Sequence, residues 1–328
     1  MLKTCTFEAN DIKMNKIYEN QACFDNMDKH QRQQDICAKV DQHYGRLFFP
    51  DNMRNRGRPY FTGSLIVSMD GRMGFMDDPS SRTLAKANKE DPTGGMADLW
   101  MVNVLRTYAD AVLLGTNTLH AESEFTGHVY DPELQKYRLE RSERFAPVPW
   151  NVIISRNPEK LPWNHPVLNT SEIPVLMIIP RNKTKNMAWC TENDFCYELI
   201  RIDHNSESLV GDRYDTLQKN GQTHLIAALP EVDFPDWKLV MKLMRLLNIK
   251  QVAVESPYWI YELIQEKAMD EVFTTQTGVY AGGSLVPGKT QSFHSTEAPQ
   301  LELASIHMTG NNVMMIRQLL KYRDRQES

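Results

Sequence analysis

From Arg58 onward, short apolar runs alternate with stretches whose apolar residues recur every three or four positions, and this alternation restricts the fold more than any other feature. It is the signature of an α/β sheet rather than of a sandwich or a helix bundle. The runs fall at 60–67 (YFTGSLIV), 110–114 (DAVLL), 151–154 (NVII), 174–179 (PVLMII), 197–202, 223–228 and 249–254. Several are apolar on both faces, which is how strands buried on both sides of a parallel sheet read. Between the last two, Trp237, Val240, Met241 and Met244 occupy i, i+3, i+4 and i+7 with Lys238, Lys242 and Arg245 interleaved. That spacing predicts an amphipathic helix over 236–247 and hence a β-α-β unit. Ser256-Pro257 then places an N-cap residue before a proline at the first helical position, predicting a helix over 257–268. The tail reads differently: 270–277, 301–307 and 312–318 are expected as antiparallel strands joined at Gly282-Gly283 and at Gly310-Asn311-Asn312.

The first 57 residues lack this pattern, and their apolar residues, Ile12, Ile17, Cys23, Phe24, Ile36 and Val40, are thinly spread. They read as a polar extension, with one or two weakly amphipathic helices in 21–44 and a basic linker from Arg54 to Arg58. The 328 residues, at roughly 150 per domain, admit two domains or one with an appendage. The pattern favours the second: an extension over 1–57 and one α/β unit over 58–328. With 37 basic against 42 acidic residues, a net charge of −5, the chain has no broad attraction for nucleic acid or anionic membrane, so any phosphate must be held locally. No apolar stretch approaches a membrane span or a signal peptide, and a cytoplasmic protein is expected. Five cysteines without a C-x-x-C pair and nine histidines without H-x-x-x-H lead to no expected disulfide framework or metal site.

In open α/β sheets ligands collect where strands end and helices begin, so strand carboxyl edges carry the candidates. Ser68-Met69-Asp70-Gly71-Arg72 is a tight turn in which Asp70 accepts from backbone N–H groups or from a ligand. At Leu114-Gly115-Thr116-Asn117-Thr118 a buried strand runs into a glycine and hydrogen-bonding side chains, a turn able to present donors to phosphate. Upstream, the spacing of Trp100, Val104, Leu105 and Tyr108 predicts a helix carrying Arg106, either in an ion pair or at a ligand. Ser155-Arg156 sets a hydroxyl beside a guanidinium, a pair suited to a phosphate monoester or to a plain surface loop. Glu255 ends a strand at a helix N-terminus, where a carboxylate complements the helix dipole or faces a ligand.

Four segments in order, RPYFTGSLIVSMDGRMG, VLRTYADAVLLGTNTL, VESPYWIYELIQEKAMDEVFTTQTGVYAGG and VMMIRQLLKY, give the chain from Arg58 to about Tyr322 its resemblance to the reductase domain of the riboflavin-biosynthesis bifunctional deaminase-reductase. The zinc signature of the deaminase half, H-x-E followed by P-C-x-x-C, is not completed, because the chain has no P-C-x-x-C. The resemblance implies a dihydrofolate-reductase-like α/β/α three-layer sandwich with a mostly parallel central sheet and antiparallel C-terminal strands. It also implies NADPH as cofactor, a homodimer, and a small-molecule substrate: an aminopyrimidine ribose phosphate whose opened sugar is reduced.

By resemblance, Thr118, Glu122 and Ser155 match cofactor contacts; Gly115, Asn117, Ser256, Pro257 and Tyr258 belong to the same turns, and Arg156 joins them on electrostatic grounds. Arg106, Thr126 and Glu255 are the substrate candidates, and Glu255 and Asp70 the catalytic ones. The chain departs from the family where Ser256-Pro257 replaces two glycines, where Glu122 replaces an aspartate, and where Gly127-His128-Val129 lacks a second substrate arginine. The loop over 75–95 is also long enough to form a different lid. Two other readings stay open: a non-catalytic nucleotide- or partner-binding relative, and a pterin-type reductase. The latter needs an acid deep in its pocket, for which Asp70 is the early-strand candidate.

Overall fold

The computed structural model describes residues 2–28, 36–49, 57–143, 145–205, 224–288 and 292–322. Most of the basic linker, residues 54–56, and residues 29–35 of the expected helical stretch lie outside the described residues. In chain order the elements are β1 (Asn15–Glu19), α1 (Gln21–Asp28), α2 (Ala38–His43), β2 (Tyr60–Ser68), α3 (Ser81–Lys86), α4 (Gly94–Tyr108), β3 (Ala111–Leu114) and α5 (Thr116–Ala121). There follow α6 (Pro132–Leu139), β4 (Trp150–Ile154), α7 (Pro166–Asn169), β5 (Val175–Pro180), α8 (Ala188–Glu192), β6 (Glu198–Arg201) and β7 (His224–Leu229). The chain closes with α9 (Trp237–Leu246), β8 (Gln251–Val254), α10 (Pro257–Gln265), β9 (Glu271–Thr277), β10 (Gln300–Thr309) and β11 (Val313–Lys321).

The strands form one sheet in the order β1-β10-β11-β9-β2-β8-β3-β4-β5-β7-β6. Every pairing from β9 through β6 is parallel, and those among β1, β10, β11 and β9 are antiparallel. The central runs that look uniformly apolar are sorted by the two-residue period of a strand. Val112, Leu114, Ile153, Val175, Met177 and Ala253 join the core under α4, while Leu113, Val152, Ile154, Leu176, Val252 and Val254 join the core under α9 and α10. Burial on both faces is what gives the α/β/α sandwich its mostly parallel sheet.

Helix α9 follows its periodicity. Asp236 caps it by accepting from Lys238 N at 2.9 Å and Leu239 N at 3.2 Å. At the other end Asn248, in the left-handed region at φ 57°, lets Ile249 N donate to Met244 O at 2.8 Å. Helix α10 stops three residues short of the expected 268 by the same device: Lys267 adopts φ 53° and Ala268 N donates to Leu263 O.

In the tail, only Gly310-Asn311-Asn312 is a hairpin turn, joining β10 to β11. Gly282-Gly283 does not join 270–277 to 301–307, because β9 pairs with β2 and β11 rather than with β10. Both glycines instead take positive φ, 67° and 72°, in a loop that receives Asp70. The stretch over 75–95 holds α3 and the start of α4, with Gly94 packed so tightly that a Cβ would lie 2.5 Å from Val313 Cγ2.

The described residues before 50 are built into this fold. β1 pairs with the outer edge of β10, and Phe7, Ile12, Val40, Tyr44, Leu47 and Phe49 are buried in the same core as α4. Thinly spread apolar residues suffice because almost every one of them is used, Ile17 at 61% exposure being the exception.

Candidate active site

β8 enters the sheet late, between β2 and β3, and the carboxyl ends of these three neighbours meet at the point where strand order reverses. A cavity of about 450 Å³ opens there. Ser64, Leu65 and Ile66 of β2, Asn117, Thr118 and Ala121 of α5, and Glu255 and Pro257 after β8 line it. Helix α4 closes one wall with Asp98, Leu99 and Val102, and Met73, Pro79 and Leu285 come from the loops above.

One face of α4 organises the polar part. Asp98, Val102 and Arg106 are spaced i, i+4 and i+8, so they stack along one stripe. Arg106 is fully buried and grips Glu255 with two parallel bonds, Nε to Oε1 and Nη2 to Oε2, each 2.7 Å. Its Nη1 donates to the carbonyls of Thr126 (2.9 Å) and His128 (2.7 Å), and its guanidinium lies over the rings of Phe125 and Tyr130. Burial opposes the charge, yet Glu255 and Tyr130 hold the guanidinium above its usual value. Sequence reading left Arg106 between an ion pair and a substrate contact; the structure turns its donors to Glu255 and two carbonyls. Thr126 is buried beneath the cavity and reaches the site through that carbonyl.

The loop carrying those carbonyls is tied to the N-terminal segment. His128 Nε2 donates to Lys3 O at 2.7 Å while Nδ1 accepts from Thr126 Oγ1 at 2.8 Å, and Cys5 N donates to Tyr130 O. Burial pushes the His128 imidazole down to about 4, which keeps it neutral near pH 7.

Glu122 closes the cavity from below α5. Its Oε1 accepts from Ser80 Oγ (2.6 Å) and Ser81 Oγ (3.0 Å), docking the start of α3. Two helix N-termini face the crevice, those of α5 and α10, and neither has a capping side chain. Elsewhere α6 and α9 are capped by Asp131 and Asp236. Ser256 stands at the N-cap of α10 without capping it; its Oγ lies 2.4 Å from where a Cβ on Gly115 would sit, so that glycine is what lets the ends of β3 and β8 approach. Tyr258 is half exposed beside Trp259.

Arg106, Gly115, Thr126, Ser256 and Tyr258 stand behind the cavity lining rather than in it, and Asp70, Ser155 and Arg156 also fall outside it. Asp70 accepts from Ser68 Oγ (2.6 Å), Ala281 N (3.0 Å) and Gly282 N (2.8 Å), clasping the turn after β2 to the loop after β9. The Ser68 bond, with those from Ala281 and Gly282, holds its carboxyl down at about 2, so it stands there as an anion. Ser155 accepts from Asn157 N, and Arg156 donates to Phe234 O, both at the end of β4, one strand beyond β3.

The acid on the cavity wall is Asp98, which sequence reading did not single out. It is half-buried, bonded to the Thr275 side chain, and raised to about 6 by burial, with Glu255 adding to the rise. Extending the Arg106 stripe back two turns on the same helix was the signal that could have found it.

A family model described as the RibD C-terminal domain matches residues 59–315. The chain belongs to this family. Membership places it among the reductase domains of riboflavin biosynthesis, as the resemblance implied. No curated protein matches the sequence. Among solved structures, a pyrimidine reductase-like protein from Corynebacterium diphtheriae is similar at 18% identity and a TM-score of 0.58, over 86% of this chain and 97% of that one. A RibD from Acinetobacter baumannii is similar at 15% identity and a TM-score of 0.51, over 86% of this chain but 63% of the RibD. Both support the dihydrofolate-reductase-like fold. The family match begins at residue 59, so the segment bound to His128 and to the sheet edge lies before the matched residues.

Proposed function

We propose that the protein is an NADPH-dependent reductase that converts the opened ribose of an aminopyrimidine ribose phosphate to a ribityl chain, working as a homodimer in the cytoplasm. The observation that carries this reading is the cavity at the reversal of strand order, which gathers Asp98, Glu255, Asn117, Thr118 and Glu122 around one volume. The residues fit a dinucleotide: the first N–H groups of α5, and those that follow Pro257 in α10, lie at the crevice without capping side chains and remain able to donate to phosphate. Asn117 and Thr118 would hold the pyrophosphate side, and Ser155 and Arg156, two strands from β8, an adenosine phosphate. The nicotinamide supplies hydride when bound.

The chain's own groups do the rest. Arg106 fixes both oxygens of Glu255 as acceptors, so Glu255 presents a rigid carboxylate edge to hydroxyl or amino groups of the substrate. Leu65, Ile66, Leu99, Val102 and Phe125 form apolar walls that exclude water. Titrating the purified protein with NADPH and following cofactor fluorescence tests the reading, and saturable binding at tens of micromolar or below is expected. Oxidation of NADPH on adding 5-amino-6-(5-phosphoribosylamino)uracil should follow. Failure to bind NADPH would remove the reductase reading.

A further inference from the structure

We propose that Asp98 is the proton donor of the reduction, its carboxyl giving a proton to the heteroatom of the reducible C=O or C=N group within the cavity that Glu255 also lines. This rests on the reductase reading above and adds to it the group that completes the chemistry.

The geometry leaves few competitors. Among the described residues, those lining the cavity include no lysine, arginine, histidine, tyrosine or cysteine, so proton transfer from a titratable side chain falls to Asp98, Glu122 or Glu255. Glu122 is engaged by the hydroxyls of Ser80 and Ser81 and supports α3. Glu255 accepts two bonds from a guanidinium, which hold it as a carboxylate acceptor. Asp98 has a neutral neighbour, the Thr275 side chain on β9, and otherwise faces the cavity. Its carboxyl is raised to about 6, chiefly by burial and further by the Glu255 charge, so it carries its proton in the range where a general acid must.

The charged groups around α4 do not change this assignment. From α3, Arg82 is directed at Glu122, 4.0 Å away. From α6, Arg138 donates to the carbonyls of Arg106, Thr107 and Ala109 at the far end of α4. From β9, Glu271 is paired with Arg317. Lys86 ends α3, and β2 carries no charged side chain along its length.

The step balances. A C–H bond forms with hydride from a reduced nicotinamide as the C=X π bond breaks, its electron pair passes to X, and X takes the proton as the Asp98 O–H bond breaks. Asp98 is left as a carboxylate and regains a proton from solvent between turnovers; the substrate is reduced and the nicotinamide oxidised.

Two measurements on the full chain test the assignment. The first is the infrared difference spectrum between pH 5 and pH 8: a protonated-carboxyl band titrating near pH 6 is expected in the wild type and should be missing in Asp98→Asn. Its persistence in the variant, or no such band in the wild type, overturns the proposal. The second is single-turnover hydride transfer in the NADPH-loaded protein. The wild-type rate should fall about tenfold per pH unit above the Asp98 pKa, while Asp98→Asn should lose 100-fold or more and become flat with pH, with NADPH affinity within about twofold of wild type. Asp98→Glu, which keeps the proton but moves it, should recover part of the rate and the pH dependence. An unchanged rate and profile in Asp98→Asn overturns the donor role alone. Absence of NADPH binding by the wild type overturns the reductase reading and the donor role with it.

Discussion

Asp98 and Arg106 share one helix stripe, yet burial treats them in opposite ways. Arg106 keeps its charge because Glu255, Thr126 and His128 absorb its donors; Asp98, with one hydroxyl partner, is driven toward its neutral form. A carboxyl whose folded pKa lies above its unfolded value binds protons more tightly when folded, so stability falls as pH rises from about 4 through about 6. Asn has no such penalty. Asp98→Asn should therefore be more stable than wild type at pH 7.5 by about 1–2 kcal/mol, after allowance for screening at a partly exposed wall. The difference should vanish near pH 4 in urea melts across that range. Arg106→Met leaves Glu255 charged and nearly enclosed, at an expected cost of about 3–5 kcal/mol. In the milder Arg106→Lys, kcat/KM should fall equally for phosphorylated and dephosphorylated substrate, as a positioning role requires; a selective loss with the phosphorylated substrate would place the guanidinium on the phosphate. Glu255 and Thr118 were legible as candidates from their positions at strand ends, and Glu122 through the family resemblance. Asp98 was not, because a carboxylate inside an amphipathic helix reads as part of its solvated face and gives no sign of the cavity it lines.

Among the elements, the expected strands and the two expected helices near residues 237–268 appear within a few residues, since each follows a two- or 3.6-residue period read locally. What local reading missed was pairing. β9 is antiparallel to β11, as its place in the tail implies, but it also lies parallel to β2, and Arg317 of β11 meets Glu271 of β9 at 2.8 Å with both side chains fully buried. Arg317→Met alone should destabilise by about 3–5 kcal/mol, whereas Arg317→Met with Glu271→Leu should recover most of that, because the first strands a buried charge and the second removes both. Urea denaturation of the two variants checks this, and equal losses would mean that the pair contributes only through packing. At α10, replacing Ser256-Pro257 by Gly-Gly clears the hydroxyl over Gly115 and adds a backbone donor at the first helical position. NADPH should bind several-fold more tightly by fluorescence titration, and no gain would mean that phosphate is held elsewhere.

For the whole molecule, the main revision concerns the first 49 residues. Phe7, Ile12, Val40, Tyr44, Leu47 and Phe49 are buried against the sheet, a gross contribution on the order of 10 kcal/mol at about 1.5–3 kcal/mol per side chain, comparable with the net stability of a typical domain. Removing residues 1–49 should abolish cooperative thermal unfolding, and a truncated chain melting within a few degrees of full length would show that the family domain stands alone. By itself, the sequence determined the α/β class, the strand runs, the helix at α9 and the turns that would carry a site, because hydrophobic period and turn chemistry act over a few residues. Only the tertiary structure decided that a polar N-terminal segment completes the sheet and braces the Arg106 loop, that Asp70 clasps two loops, and that Asp98 and Glu255 line one cavity. Those outcomes depend on which strands become neighbours, and the free energy that selects neighbours comes from burial between residues one or two hundred positions apart, where no local spacing records it.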